Sequence, residues 1–282
     1  MKFVFDSSHG NASFVEQLFD KLLSTKVIKF MPDEKGTGVY IDKEGNLSEV
    51  EVPDSLNSLI MSKLDSLNPQ SKLTVNVAAA IGRQFQVDII KGSYPTDLDD
   101  NLIIDSMEEL DSREILVQSG EEEIYDYIFK NLLTQEVAYN SLLFSHRREY
   151  HKRIGYCLET IYSDSLSDWY DELARHYQQT DEHPKAINYL KKAGDKAFDI
   201  YANEYARSCY SKALKRASSE DYPQERFRLL NMREKVLTFL GRLDDRKKDL
   251  DELLELGYRT SDKKGIVSVL FSLSGYYQRS HE

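Results

Sequence analysis

Six histidines (His9, His146, His151, His176, His183 and His281), two cysteines and 48 acidic residues are the groups in this 282-residue chain that could do acid–base, nucleophilic or metal chemistry. Their spacing forms none of the arrangements that chemistry needs. No H-E-x-x-H puts two imidazoles on one helix face, and no cysteine stands at zinc-ligand spacing from a histidine. No G-x-S-x-G raises a serine on a strand-to-helix turn. The phosphate loop G-x-x-x-x-G-K-[ST] is missing as well. "DEKGTGVY" is the nearest glycine-bearing stretch, and it lacks both the lysine after glycine and the helix that should follow. Without backbone amides and a lysine to hold phosphates, and an acidic residue for Mg²⁺, hydrolysis has no machinery. The chain is therefore expected to have no catalytic residue, no metal site and no enzymatic activity of its own.

Binding is the better supported chemistry. The basic run "HRREYHKR" spans 146–153; on a helix Arg147 shares a face with His151, and Arg148 with Lys152. His151, beside Lys152 and Arg153, reads as a solvated helix residue. The acidic counterpart is the segment 97–126, with twelve Asp or Glu against one basic residue, Arg113. Pairing between the two segments is the favoured expectation; a docking surface for an acidic partner, or for the phosphates of a nucleotide-binding core, is the alternative. The whole chain carries a net charge of −11, almost all of it in that segment. Such a surface repels phosphate backbones and anionic membranes, so neither nucleic acid nor membrane is an expected partner. No apolar run approaches the ~18 residues of a membrane helix, and no signal-peptide core follows Met1. A cytoplasmic location is expected, with Cys157 and Cys209 as buried thiols rather than a disulfide.

These residues must be positioned by elements, and most of the elements read as helices. "SSHGNASFVEQLFDKLL" (7–23) is a polar turn at Gly10 and Asn11, then an apolar face of Phe14, Val15, Leu18, Phe19, Leu22 and Leu23. "GVYIDKEGNLSEVEVP" alternates around Gly45-Asn46 as a hairpin would. Leu56, Leu59, Ile60, Leu64 and Leu67 form the stripe of the next helix. Asn68 then caps a helix with Pro69 at its first position and Gly82 past its end. A helix at about 98–111 leads into "ILVQSGEEEIYDYIF", two alternating runs around Ser119-Gly120. Three helices and a two-stranded wing are the order of a winged-helix domain. The division expected is 1–51 for a lid-like helix and hairpin, 52–165 for the winged-helix domain and its exit helices, and 166–282 for helical repeats.

The repeats are read from small residues at helix crossings. Gly194 stands 12 residues before Ala206, with Tyr210 and Ala213 another 4 and 7 on, as in tetratricopeptide-like hairpins. Tyr177, Ala186, Leu190 and Ala193 lie at matching offsets, whereas Arg246 stands where a small alanine belongs. An irregular α-bundle accounts for the same helices. The fold class is thus mainly α: a small winged-helix domain with short β-hairpins, then an α-α superhelix of hairpins. First helices at 168–179, 187–200, about 226–240 and 265–279 should line a concave face, where Tyr170, His176, Asn188, Lys192 and Lys196 suit an extended peptide or a partner helix. The last helix has no following helix to cover Val267, Leu270, Phe271 and Leu273. A chain truncated at its C-terminus and self-association there are the expectation.

Three stretches together resemble one family. "SHGNASFVEQLFDKLL" is similar to the G-N-P-F-F-[VL]-E-E-L segment of signal-transduction ATPases with numerous domains, the STAND relatives of AAA ATPases. "VEVPDSLNSLIMSKLDSLNPQSKLTVNVAAAIGRQF" resembles their P-[DE]-[ST]-[LV]-x-x-[LI]-I-x-x-[RK]-[LI]-D-x-L stretch and the A-A-[VAI]-I-G-x-x-F that follows. "YIFKNLLTQEVAYNSLLFSHRREYHKRIGYCLE" looks like F-K-H-x-L-x-[QH]-[ED]-[VA]-A-Y-x-S-L-L…R-R-x-x-H, with Asn131 in place of the family's histidine. The resemblance covers residues 7 to about 216. It implies a lid helix, a winged helix and TPR repeats beyond a nucleotide-binding core that would precede Met1. It also implies ATP and Mg²⁺ as cofactors of the parent rather than of this segment, with the chain's own upstream NTPase core and a protein or peptide as partners. Such assemblies are attached to class III nucleotidyl cyclases (adenylate or guanylate), protein kinases or LuxR-type regulators. The resemblance places Gly10, Asn11 and Ala12 at the nucleotide; Ala12 replaces the family's proline and its fixed φ. A winged-helix transcriptional regulator is the alternative, but "DLDDNLIIDSMEEL", the helix that would enter the major groove, has no basic residue.

Overall fold

The computed structural model describes residues 15, 19, 23, 28–33, 36–41, 56–96, 99–119 and 126–280. Val15, Phe19 and Leu23 are helical and half-buried at four-residue spacing, as the apolar face of that stretch requires. Gly10, Asn11, Ala12 and the Gly45-Asn46 turn lie outside the described residues. Strands β1 (Ile28–Asp33) and β2 (Gly36–Ile41) pair antiparallel, Ile28 opposite Ile41 and Asp33 opposite Gly36. The arm "GVYI" is thus a strand, paired with 28–33 upstream of it.

Two compact units divide the chain, Met1–Phe144 and Ser145–Glu282. In the first, α1 (Leu56–Asp65) and α2 (Pro69–Ile81) form where the sequence predicts them. The Asn68 side chain accepts from the Ser71 amide at 2.9 Å, Pro69 opens α2, and Gly82 closes it with φ 145°. Two elements were not legible: β3 (Gln84–Phe85) and the short helix α3 (Val87–Ser93). The helix α4 (Asp100–Ser112) follows, then β4 (Leu116–Gln118) and β5 (Tyr127–Phe129). The strands form one antiparallel sheet in the order β3-β5-β4. Its inward residues Phe85, Leu116 and Phe129 join Ile60, Val75, Ala78 and Leu110 in a core where each is fully buried. The helix α5 (Leu132–Ser141), capped by Asn131 on the Leu133 amide, packs on α1 and α2.

The second unit is a train of antiparallel helices: α6 (Phe144–Ile161), a 3₁₀ segment (Ser163–Trp169), α7 (Tyr170–Tyr177), α8 (His183–Asp199), α9 (Asn203–Arg216), α10 (Pro223–Phe239), α11 (Leu243–Thr260) and α12 (Lys263–Ser280). Each helix from α7 onward packs on the next. The division at 144/145, rather than 165/166, assigns α6 to this unit. The reason is visible at Gly155, where a Cβ would come within 2.7 Å of the Tyr177 ring on α7; the same contact recurs between Gly194 and the Tyr210 ring, also at 2.7 Å. Thus α6–α7, α8–α9 and α10–α11 are the hairpins, and the 3₁₀ segment is an insertion in the first of them. This corrects the expected first helix at 168–179. Tyr170 and His176 sit on a second helix, the one whose aromatic residue fills the gap left by glycine. Among the described residues no helix is long and apolar enough to cross a membrane.

Candidate partner-binding face of the helical repeats

Tyrosines on three successive helices meet around one half-buried acidic group, Glu159. Tyr177 on α7 stacks on Tyr189 of α8, centroids 5.6 Å apart and planes 7° from parallel, and meets Tyr156 of α6 edge-on at 6.3 Å. Gly155 makes room for this ring, and the one-residue offset to Tyr156 turns that side chain outward, 42% exposed. Glu159, one turn further along α6, accepts from Tyr189 Oη at 2.7 Å and from Lys185 Nζ at 2.5 Å. Lys185 also donates to Tyr177 Oη at 3.1 Å and lies 3.8 Å from the Tyr156 ring centre. Burial, reinforced by the Glu159 carboxylate, pushes both the Tyr177 and Tyr189 phenols far up, so both stay protonated donors.

Lys192, two turns beyond Lys185 on α8, is placed differently. Its ammonium lies 5.1 Å from the Tyr170 ring centre and 5.4 Å from that of Tyr189. These contacts hold a cation by ring quadrupoles and leave its hydrogen-bonding capacity for a ligand. No carboxylate lies within ion-pair distance of it among the described residues. Asn188 is exposed one turn earlier on the same face. Lys196 continues the face but is engaged, donating to the Ser167 carbonyl at 3.0 Å with Asp168 at 3.5 Å. Tyr170, Asn188, Lys192 and Lys196 are therefore brought together, with Tyr156, Glu159 and Lys185 further along the same helices and Tyr189 buried beneath them. Those four were missed, although Gly155 stands 39 residues before Gly194 and carries the signal of the earlier hairpin.

His176 does not belong to that face. It is 1% exposed, and its Nδ1 lies 2.8 Å from Nδ1 of the equally buried His151 on α6. Arg175 Nη2 lies 3.0 Å from His176 Nε2, which must therefore accept. The His176 proton then sits on Nδ1 and donates to His151 Nδ1, leaving His151 protonated on Nε2. Burial, with the Arg175 and Arg147 charges nearby, lowers His151 to about 4; burial, Arg175 and His151 hold His176 well below the ordinary imidazole range. The expectation of a solvated His151 is thereby overturned: its side chain points into the α6–α7 seam.

The basic run on α6 pairs locally. Arg148 meets Asp181 at 2.6 Å, Lys152 meets Glu182 at 2.5 Å, and Arg153 meets Glu149 at 2.6 Å. Three acidic residues of the first unit have cations beside them: Lys91 for Asp100, Arg113 for Glu109 and Lys130 for Glu114. Carboxylates in the α7–α8 turn thus stand beside α6 and hold Arg148 and Lys152; Asp97 and residues 120–125 of the acidic segment expected to pair with 146–153 lie outside the described residues. Arg147 is half-buried and acts on His151. All these pairs are at least partly exposed and contribute little, on the order of 0–1 kcal/mol each.

The third hairpin departs from the small-residue rule at both crossing positions. Glu234 stands where Gly155 and Gly194 stand, and Arg246 where Ala206 stands, and the two form a buried ion pair at 2.7 Å, side chains 6% and 8% exposed. Arg233 adds a fork onto Asp249, at 2.5 and 2.9 Å. Burial pushes the Asp249 carboxyl up, against the pull of that guanidinium. No group of three or more metal-ligating side chains stands together among the described residues.

No family model and no curated protein matches the chain. Among solved structures it is similar to the crystal structure of a signal transduction ATPase with numerous domains (STAND) protein with a tetratricopeptide repeat sensor, from Pyrococcus horikoshii, at 11% identity and a TM-score of 0.31. The match covers 84% of this chain and 48% of that one, so the chain spans about half the length of that protein.

Proposed function

We propose that the chain is a non-catalytic regulatory and interaction segment of a larger STAND-type signalling ATPase, and that its repeats hold a protein partner through the face built on α6 and α8. The observation that carries the reading is Lys192, an ammonium set between the Tyr170 and Tyr189 rings, one turn from exposed Asn188. A cation so placed suits a carboxylate on an extended peptide, with the rings as its apolar floor. The first unit would be a winged helix that packs on the upstream nucleotide core and relays its state. Support for that comes from the order α1-α2-β3-α3-α4-β4-β5 and from the sequence stretches that resemble the family. Its α4 exposes Asp100, Asp105 and Glu108, which argues against DNA reading by this helix. Gly10, Asn11 and Ala12 would lie near the nucleotide in the parent, which could carry a cyclase, kinase or LuxR-type output.

Calorimetric titration with Mg-ATP, together with a phosphate-release assay, tests the non-catalytic half of this reading. The expected result is neither tight binding nor turnover. Mg²⁺-dependent turnover by the 282-residue chain would overturn it.

A further inference from the structure

The turn that joins α8 to α9 recurs between α10 and α11, forty residues on. In the first, the amides of Tyr201, Ala202 and Asn203 donate to the carbonyls of Phe198, Ala197 and Tyr201 at 3.0, 2.8 and 2.9 Å. In the second, those of Gly241, Arg242 and Leu243 donate to Thr238, Leu237 and Gly241 at 3.3, 3.0 and 3.1 Å. Each turn needs one left-handed residue, Tyr201 at φ 61° and Gly241 at φ 66°. Glycine takes that conformation freely; tyrosine holds it under strain, because its Cβ crowds the following carbonyl oxygen. Burial does not offset the strain, for the Tyr201 side chain is 82% exposed and Ile200 beside it 70%. A neighbouring turn is in place on either side. Toward α7, Tyr205 Oη donates to Asp171 Oδ1 at 2.7 Å; toward α10, the Phe198 ring lies 5.7 Å from that of Phe239, and Arg242 reaches Glu204 at 3.1 Å. Ile200 and Tyr201 thus stay in solvent with both neighbours packed. Strain kept at an exposed aromatic residue points to a role outside the fold.

We propose that this edge of the repeats docks a protein partner through a short, extended basic segment, an apolar side chain resting on Ile200 and an arginine on the Tyr201 ring. Charge names the occupant. The three turns at this edge, 163–171, 198–205 and 239–245, carry seven acidic residues and one basic residue, Arg242, which Glu204 already holds. Lys196 and Lys248, just outside them, lie against Asp168 and Asp245. Asp199 and Asp244 are exposed and have no cation within ion-pair distance among the described residues, so they are left to pair with cations of the partner. The same charge opposes an anionic membrane and a second copy of this net-acidic chain. The proposal does not depend on the Lys192 reading, which asks for a ligand of the opposite sign.

The experiment uses the full chain and labelled peptides in which arginine and leucine alternate with serine, so that both lie on one face of an extended strand. Fluorescence anisotropy should show saturable binding, about tenfold or more weaker when glutamate replaces arginine or serine replaces leucine. Tyr201→Gly removes the ring and the strain together, so binding and fold should move in opposite senses. Binding should weaken about tenfold or more, while the melting temperature stays or rises. Lys192→Glu should leave this binding intact. No saturable binding, equal binding by the serine-for-leucine peptide, or binding that survives Tyr201→Gly overturns the proposal. A melting temperature lowered by Tyr201→Gly overturns it too, because the ring would then serve the fold. So does a dimer of the chain alone, or retention on anionic-lipid vesicles, that Tyr201→Gly abolishes, since either gives the edge a different occupant.

Discussion

His151 and His176 show how burial alone can decide the role of a residue. A buried pair sharing one proton across 2.8 Å, with Arg175 donating to the outer nitrogen, has no room for a second charge. The unfolded chain binds protons on His151 near pH 6.5, whereas the folded chain resists until about 4. Stability is therefore full above pH 6.5 and falls as pH drops through that window. Between pH 7.5 and 5 the urea midpoint should move by the equivalent of about 2 kcal/mol, and His151→Asn, whose amide oxygen can still accept from His176, should flatten that slope. An unchanged slope would mean that the pair is not the acid-sensitive group. Glu234 and Arg246 make a second case. Removing either one by Glu234→Ala or Arg246→Ala strands a buried charge and should cost about 3–5 kcal/mol, while Glu234→Leu combined with Arg246→Met should cost far less. Denaturant melts of the two singles and the double form the test; additive losses would contradict a coupled pair.

At the scale of elements, the sequence was most readable where a chemical signal is local. Asn68, Pro69 and Gly82 mark both ends of α2, and the 12-residue offset from Gly194 to Ala206 marks the α8–α9 hairpin. The misses have physical causes. With two residues, β3 is too short to show alternation, and the seven-residue α3 too short to show a stripe. A six-residue stretch of the 3₁₀ insertion separates Gly155 from its aromatic beyond the usual offset, which hid the first hairpin and moved Tyr170 and His176 to the wrong helix. The candidate face was half legible: Tyr170, Asn188, Lys192 and Lys196 were named, but Glu159, which organises the tyrosines, gives no pattern until α6 and α8 are side by side. The close approach at Gly194 also predicts a sign. Gly→Ala in a helix ordinarily gains up to about 1 kcal/mol. Gly194→Ala should instead lower the melting temperature, because the new Cβ meets the buried Tyr210 ring at 2.7 Å. Overpacking of that kind costs about 1–3 kcal/mol. A raised melting temperature would show that the ring gives way.

At the scale of the whole molecule, the chain divides into two compact units. If the boundary lies at 144/145, residues 145–282 should fold alone with the helical content of α6 to α12, whereas a piece starting at 166 should lose cooperativity because Tyr177 no longer packs on Gly155. Circular dichroism melts of the two pieces check this. Binding of the full chain to an array of extended acidic and basic peptides measures whether the repeats hold a protein partner by a carboxylate at Lys192. Acidic peptides should be retained, Lys192→Glu should weaken their binding about tenfold or more, and Arg148→Glu should have little effect because Arg148 is already paired with Asp181. Retention of basic peptides instead, or acidic binding indifferent to Lys192→Glu, would contradict that binding mode.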